Sequence, residues 1–240
     1  MSQKLFEGKT YNEKLFKGGL RGFFHNSRFQ WLNRSFKKLK LNKGSIIELG
    51  CFDGRDLKFI PMKPDRYAGY DADWEGGLED ALSDWKDYPE YRFIASNKLS
   101  TFNPENEVFD YSISMETLEH LYSYELDGYL GSIANATKSY GFYSVPVEKG
   151  FCFIVKYILQ RFYGIQKEPY TSKELWYATI GNLSKVERVE RGHKGFDYRV
   201  LIRKLKKHFD IVEVKGLPFP FLPLSMNFTV AIIAKKRETK

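Results

Sequence analysis

Short apolar segments alternate with segments of helical periodicity along most of the chain, and this alternation limits the possible folds more than any other feature. Five segments have the short apolar character of buried strands: 45–49, 67–70, 91–94, 109–114 and 141–145. Apolar residues recur at helical spacing in 26–41, 78–85 and 118–137, and a further helix is expected to start near Arg55. Strands separated by helices pair in parallel through right-handed crossovers. We therefore predict a doubly wound, Rossmann-like α/β fold with three α/β/α layers.

The last third of the chain departs from this rhythm. A helix is predicted over 196–208, and two strands over 209–214 and 227–233 follow it without a long helix between them. These two strands are expected to form an antiparallel hairpin at one edge of a mostly parallel, seven-stranded sheet. No linker or repeat divides the 240 residues. We predict one domain over 1–240, with an N-terminal helical extension (1–43) and a lid-like, aromatic-rich insertion (147–192).

The turn after the first strand is the predicted ligand site, because open parallel sheets bind ligands at the carboxyl ends of their strands. It reads Glu48-Leu49-Gly50-Cys51-Phe52-Asp53-Gly54. Its glycines let the backbone approach a ligand closely, and Asp71 ends the next strand at the distance of a ribose-binding acid. Capping of the following helix is the alternative role for Asp71. The acid in the turn would repel a pyrophosphate, so the methionine part of S-adenosylmethionine suits it better than NAD, which stays the alternative for a dehydrogenase.

Several motifs occur in an order that resembles the class I S-adenosylmethionine-dependent methyltransferases, in particular the small-molecule enzymes of ubiquinone and menaquinone biosynthesis. The segment 46–51 is similar to the first motif of that family, 69–71 to its ribose-binding segment, and 109–121 to its fourth strand with the Leu-Glu-His signature. The resemblance runs from about residue 45 to residue 214. It implies S-adenosylmethionine as the cofactor.

The resemblance also assigns roles to residues. It implies that Glu48, Gly50, Cys51 and Gly54 hold or contact the methionine part, that Asp71 and Ala72 bind the ribose, that Asn97 or Lys98 meets the adenine, and that Met115 lines the methyl-donor side. Two positions depart from the family pattern. Phe52 replaces the middle glycine of the turn, which requires a side chain directed away from the cofactor, and Asn97 stands where an acid is usual.

His120 and His193 are the predicted catalytic residues, because a neutral imidazole at the sheet's carboxyl edge can take a proton from a hydroxyl or amine. Packing and bonding to the backbone is the alternative for each. Arg28 could meet the cofactor carboxylate, but an ordinary surface role is favoured, and His25 and His208 are expected at the surface. The two cysteines lie in no cluster of metal-ligand spacing, and methyl transfer requires no metal, so no metal site is predicted.

These observations favour methyl transfer to a small molecule, with the hydroxyl of a sugar, glycolipid or quinone-like ring under the insertion as the acceptor. The net charge of +8 favours a nucleic-acid methyltransferase instead, and Phe52 favours a non-catalytic partner subunit. Nucleic acid is disfavoured because 115–118 lacks the Asn/Asp-Pro-Pro-aromatic sequence of enzymes that methylate flipped bases. The apolar run 151–159 is too short to span a bilayer but suits contact with a membrane surface or a lipid-linked substrate. With neither a spanning segment nor a signal peptide, a cytoplasmic location is expected.

Overall fold

The computed structural model describes residues 19–104, 107–162 and 168–237. The strands are β1 (Ile46–Leu49), β2 (Tyr67–Asp71), β3 (Tyr91–Ala95), β4 (Phe109–Met115), β5 (Thr137–Pro146), β6 (Phe209–Leu217) and β7 (Thr229–Lys236). The α-helices are α1 (Gly19–Lys38), α2 (Gly77–Asp84), α3 (Leu126–Asn135), α4 (Phe151–Phe162), α5 (Ser172–Thr179) and α6 (Tyr198–Leu205). Part of the predicted N-terminal extension (1–18) and Tyr163 of the insertion lie outside the described residues.

The seven strands form one sheet in the order β3-β2-β1-β4-β5-β7-β6. The pairs among β1 to β5 are parallel, whereas β7 pairs antiparallel with both β5 and β6. The predicted fold class, including the antiparallel hairpin at one edge, is confirmed. The chain leaves β1 toward β2 on one side and returns to β4 on the other, so the strand order reverses at β1 and opens a crevice at its carboxyl end.

Helices cover both faces of the sheet. On one face, Leu32 and Phe36 of α1 pack with Leu78 of α2 over apolar side chains of the strands. On the other face, Leu130 of α3 and Leu201 of α6 pack into a separate core. Two cores divided by the sheet make the predicted three layers. Among the described residues, none of the helices has the length and apolar character needed to cross a bilayer.

Two predicted helices are wrong in extent. Near Arg55 only one 3₁₀ turn forms (Arg55–Lys58), because Pro61 and Pro64 follow at once and would break a longer helix. The segment 118–137 holds a 3₁₀ turn (Leu118–His120), and its α-helix begins only at Leu126. The backbone between them is bound to another loop, since the amide of Ser123 donates to Glu190 (2.8 Å).

The insertion between β5 and α6 contains α4 and α5. Its aromatic side chains allowed two interpretations, a substrate pocket or core packing. Phe153, Tyr157 and Tyr170 pack with one another beside Ala178 in a small core of their own, and Phe151 and Trp176 are exposed. These five aromatic side chains therefore pack together or face solvent.

Candidate active site

A cavity of about 630 Å³ opens at the carboxyl ends of β1, β2, β3 and β4, where the strand order reverses. Eight of the predicted site residues line it: Gly50, Cys51, Asp71, Ala72, Asn97, Met115, His120 and His193. The fold thus brings together positions spread over 144 residues of sequence, from position 50 to position 193. One end of the cavity is formed by the loops after β1, β2 and β3, and the other by the segment after β4 and by 191–193.

Gly50 is required where the loops after β1 and β4 meet. Its φ is 84°, and a Cβ atom on it would lie 1.9 Å from the hydroxyl oxygen of Thr117. Its amide donates to the carbonyl of Tyr70 (2.7 Å), which ties the turn to the neighbouring strand. Any side chain at position 50 would push the two loops apart. The glycine therefore allows the loops after β1 and β4 to pack against each other beside the cavity.

Phe52 holds the conformation of the glycine that it replaces. Its φ is 48°, in the left-handed region that residues with a Cβ atom rarely adopt. Its ring packs on Gly77 at the start of α2, where a Cβ atom would approach the ring to 2.4 Å, and the guanidinium of Arg55 lies 4.8 Å from the ring centroid. The shape of the turn is therefore kept without the glycine.

Asp71 links the turn after β1 to the turn after β2. Its carboxylate accepts hydrogen bonds from the amides of Phe52 (2.9 Å) and Asp73 (2.7 Å). Burial raises the pKa of Asp71, while these amide bonds oppose the change. Each carboxylate oxygen has lone pairs left over, and the side chain lines the cavity, so it can still accept from a diol.

Three predicted cofactor residues lie outside the cavity lining: Glu48, Gly54 and Lys98. Glu48 is fully buried beneath the turn and accepts a hydrogen bond from the hydroxyl of Tyr67 (2.6 Å). Burial, and then the charge of Asp56, raise the pKa of Glu48 well above its usual range. Gly54 packs against Phe93 and Trp85, and Lys98 is exposed after β3. These residues support the turn or lie beyond it.

The expectation of a surface position is wrong for Arg28 and His25, because both line the cavity from α1. Arg28 is half-buried. Burial raises the pKa of Asp56 and of Glu119, and the charge of Arg28 opposes that rise. Periodicity identifies α1 as amphipathic, but it does not reveal which end of the sheet the helix crosses. His208, on the turn after α6, does not line the cavity.

At the far end of the cavity, Glu119 lies beside the two predicted catalytic histidines. The Nε2 atoms of His120 and His193 are 3.2 Å apart, and the Glu119 carboxylate is 3.9 Å from the first and 4.0 Å from the second. Burial, and then the charge of Glu116, raise the pKa of Glu119 well above its usual range. Burial lowers the pKa of His120. The sequence drew attention to the histidines but not to Glu119, although the Leu-Glu-His signature contains it.

Backbone strain gathers around the same cavity. Among the described residues, positive φ occurs outside glycine at Lys40, Phe52, Asp73, Glu116 and Arg191. Phe52, Glu116 and Arg191 line the cavity, and Asp73 stands between two lining residues, Ala72 and Trp74. Such conformations persist where the surroundings over-determine them, and they gather at ligand sites.

Comparison with known proteins identifies the fold and not the site. No protein-family model matches the chain, and no curated protein matches it by sequence. Among solved structures, an S-adenosylmethionine-dependent methyltransferase from Clostridium acetobutylicum is similar, with a TM-score of 0.61 at 12% identity over 95% of this chain and 99% of that one. The N-methyltransferase NodS from Bradyrhizobium japonicum, in complex with S-adenosyl-L-homocysteine, has a TM-score of 0.58 at 13% identity over 93% and 91%.

A third structure, the magnesium protoporphyrin IX methyltransferase ChlM from Synechocystis with bound S-adenosylhomocysteine, has a TM-score of 0.56 at 12% identity, over 94% of this chain and 92% of that chain. The chain has the fold of the class I S-adenosylmethionine-dependent methyltransferases. In this methyltransferase fold, the cavity lies at the end of the sheet where the strand order reverses.

Three further residues of the cavity lining, Trp74, Tyr122 and Arg191, were not predicted from the sequence. Arg191 stacks over the ring of Trp74 (4.3 Å) and lies 5.4 Å from the ring centroid of Tyr122. All three residues line the cavity, and they join the loops after β2 and β4 to the end of the insertion. No sequence motif marks them, since the contact exists only after the loops have met.

Proposed function

We propose that the chain is an S-adenosylmethionine-dependent methyltransferase that acts on a small molecule. The observation that carries the proposal is the division of one cavity into two ends. Gly50 and Asp71 form an end suited to a nucleoside, and the Glu119–His120–His193 cluster forms an end rich in proton acceptors. Met115, the last residue of β4, lines the same cavity.

The residues present fit S-adenosylmethionine. Gly50 leaves room for close approach, Asp71 offers acceptors to the ribose hydroxyls, Asn97 offers an amide to the adenine, and Arg28 offers a cation to the carboxylate. The cavity is lined by seven carboxyl side chains against three arginines, which favours a ligand bearing a positive sulfonium. When bound, S-adenosylmethionine supplies an electrophilic methyl group. Glu48 and Gly54 would then act by supporting the turn from below.

The chain's own residues have two tasks at the reacting end. They hold the acceptor in line with the methyl group, and they take up the proton that the acceptor loses. His120 and His193 lie at that end with Nε2 atoms facing each other, and Glu119 stands behind them. Trp74 and Arg191 narrow the cavity mouth, which helps to exclude water from a reactive sulfonium.

The proposed acceptor is a hydroxyl on a sugar, glycolipid or quinone-like ring. The cluster of proton acceptors supports a group that must lose a proton, and the insertion (147–192) supports a lid because Glu168 and 191–192 line the cavity. A lipid-linked acceptor is supported by the exposed apolar side chains of α4, Phe151, Val155 and Ile158. A cytoplasmic location remains part of this proposal.

Calorimetric titration of the folded chain with S-adenosylmethionine and S-adenosylhomocysteine tests the proposal. We expect saturable binding of one molecule per chain, and no competition from NAD. A flat titration of protein whose circular dichroism is that of a folded α/β domain would contradict the enzymatic function and favour a non-catalytic partner subunit. Tighter binding of NAD would favour a dehydrogenase instead.

A further inference from the structure

Three side chains with metal-binding atoms converge at the acceptor end of the cavity. Glu119 and His120 come from the 3₁₀ turn after β4, and His193 precedes α6. Among the described residues, these three form a group whose ligand atoms lie within 4.8 Å of one another. The two histidines are 73 residues apart in sequence, so only the fold brings them together.

The groups around the two Nδ1 atoms favour protons there, which leaves the two Nε2 atoms without protons. Nδ1 of His120 lies 3.0 Å from the carbonyl oxygen of Arg191, to which it can only donate. Nδ1 of His193 makes no hydrogen bond, but the carboxylate of Glu148 lies 3.5 Å away, and its charge favours a proton on that nitrogen. Each neutral ring then presents an Nε2 lone pair, and these two lone pairs face each other across 3.2 Å.

Glu119 adds a third acceptor to this pair. Its side chain is fully buried, and neither carboxylate oxygen has a hydrogen-bond partner. A buried carboxylate without partners is costly, and two facing lone pairs beside it add to the repulsion. A bound cation would satisfy all three groups at once.

We propose that Glu119, His120 and His193 bind one divalent transition-metal ion. The three ligand atoms form a triangle with sides of 3.2, 3.9 and 4.0 Å. An ion at its centre would lie about 2.2 Å from each atom, close to the bond lengths of Zn²⁺ to imidazole and carboxylate. Two imidazoles and one carboxylate select zinc, manganese, iron or cobalt over magnesium or calcium.

The surrounding residues support this assignment. Glu148 is itself buried and paired with Lys156 (2.7 Å), so it is held where it can orient the His193 ring. Carboxylates and carbonyls in contact with the second nitrogen of a histidine are the usual partners of metal-bound imidazole. Glu148 and the backbone of Arg191 are therefore positioning groups for the ion.

The ion's remaining coordination positions face the cavity, since all three ligands line it. An acceptor hydroxyl bound there would have a lowered pKa and release its proton to water before methyl transfer. The imidazoles would then serve as metal ligands and not as proton acceptors. The ion would activate the hydroxyl by lowering its pKa. This role in activating a hydroxyl rests on the proposed function, whereas binding of the ion does not.

The full chain, freed of metal with a chelator, is titrated with Mn²⁺ by calorimetry and with Co²⁺ by absorption spectroscopy. We expect one ion per chain and a visible Co²⁺ spectrum typical of mixed nitrogen and oxygen ligands. Glu119→Gln and His193→Gln should each weaken binding at least tenfold. Glu148→Gln, which removes the charge beside His193 but leaves the three ligands in place, should cause a smaller loss. His208→Gln, outside the cavity, is the matched control and should leave binding unchanged.

Absence of saturable binding by the folded wild-type chain would overturn the proposal, and the histidine pair would then share a proton. Equal affinity in the Glu119→Gln and wild-type chains would overturn it as well. The Co²⁺ spectrum of the wild-type chain needs no variant, so misfolding of a variant leaves that test intact. Titration with S-adenosylmethionine is a separate measurement. If the chain binds the cofactor but no metal, only the proposed metal site is contradicted. If it binds metal but no cofactor, only the proposed methyltransferase function is contradicted.

Discussion

Phe52 adopts a left-handed backbone conformation, with a φ of 48°, that glycine adopts at a lower conformational energy. A left-handed φ costs a residue with a Cβ atom roughly 1–2 kcal/mol, and Phe52 offsets this by packing on Gly77 and beneath Arg55. Phe52→Ala should lose the packing and keep the strain, whereas Phe52→Gly should lose the packing and relieve the strain. We therefore expect the glycine variant to be the more stable by about 1 kcal/mol in urea unfolding.

This order reverses the usual one, in which glycine destabilises a folded position relative to alanine. The same pair of substitutions at Phe59, which has a φ of −107°, is the matched control and should show the usual order. An alanine variant at position 52 that is at least as stable as the glycine variant would mean that the left-handed turn does not persist in solution.

Asp71 combines a structural and a ligand-binding role, and its neutral isostere separates them. Asp71→Asn keeps one oxygen for an amide of the turn but removes the charge and acceptor capacity needed for the ribose hydroxyls. We expect binding of S-adenosylhomocysteine, measured by calorimetry, to weaken at least tenfold while the fold persists. Asp84→Asn, at an exposed pair with Lys58, is the control. Unchanged affinity in the Asp71 variant would place the ribose elsewhere.

Glu48 makes stability depend on pH. Its pKa is raised in the folded chain, chiefly by burial, so its contribution is fully present below the unfolded pKa of about 4.3 and is lost as the pH rises through the folded value. Glu48→Gln mimics the protonated acid and can still accept from Tyr67. At pH 8 we expect the variant to be the more stable, by on the order of 1 kcal/mol, with no gain at pH 4. Denaturant unfolding at both values measures this, and an equal gain at both would contradict it.

At the scale of elements, α1 acts as one wall of the cavity. Arg28 lines the cavity, whereas Arg34 on the same helix is exposed. We expect Arg28→Ala to weaken binding of S-adenosylhomocysteine about tenfold, the loss typical of a charge-assisted hydrogen bond. Arg34→Ala should bind like the wild type. Equal affinities of the two variants would show that α1 does not reach the cofactor.

The sequence specifies those parts of the site that depend on one strand and the turn after it. Gly50, Asp71 and Met115 could be predicted, because parallel strands bring their carboxyl ends to one edge. Arg28 was raised as a candidate but a surface role was favoured, and Trp74 was not raised, since both positions depend on how a helix and a loop lie across that edge. Glu119 was missed for another reason, because its missing hydrogen-bond partners are visible only once the surrounding loops have folded.

The helix α4 carries an exposed apolar stripe. Phe151, Val155 and Ile158 are 68%, 40% and 58% exposed and recur at helical spacing. If α4 meets a lipid surface, Ile158→Glu should reduce flotation of the chain with phosphatidylcholine vesicles several-fold. Val212→Glu, at an exposed position of the edge strand β6, should leave flotation unchanged. Equal flotation of both variants and the wild type would contradict a membrane contact through α4.

At the scale of the whole molecule, charge separates the cavity from the rest of the surface. The chain carries a net charge of +8, yet seven carboxyl side chains and three arginines line the cavity. Three runs rich in lysine and arginine, 37–40, 203–207 and 235–237, lie outside that lining. Several of their members are paired: Lys38 with Glu213, Lys204 with Asp127 and Arg237 with Asp210. The excess positive charge therefore does not surround the proposed reaction centre.

This separation predicts how the chain meets nucleic acid. A phosphate backbone should be attracted to the basic runs and repelled from the cavity, so any binding is non-specific and decays steeply between about 50 and 200 mM salt. Gel shifts with single-stranded RNA and DNA measure it, with and without S-adenosylhomocysteine. Because binding would occur away from the cavity, the cofactor product should not alter it. Binding that survives at the higher salt and tightens with the product would instead place the nucleic acid over the cavity and make it the substrate.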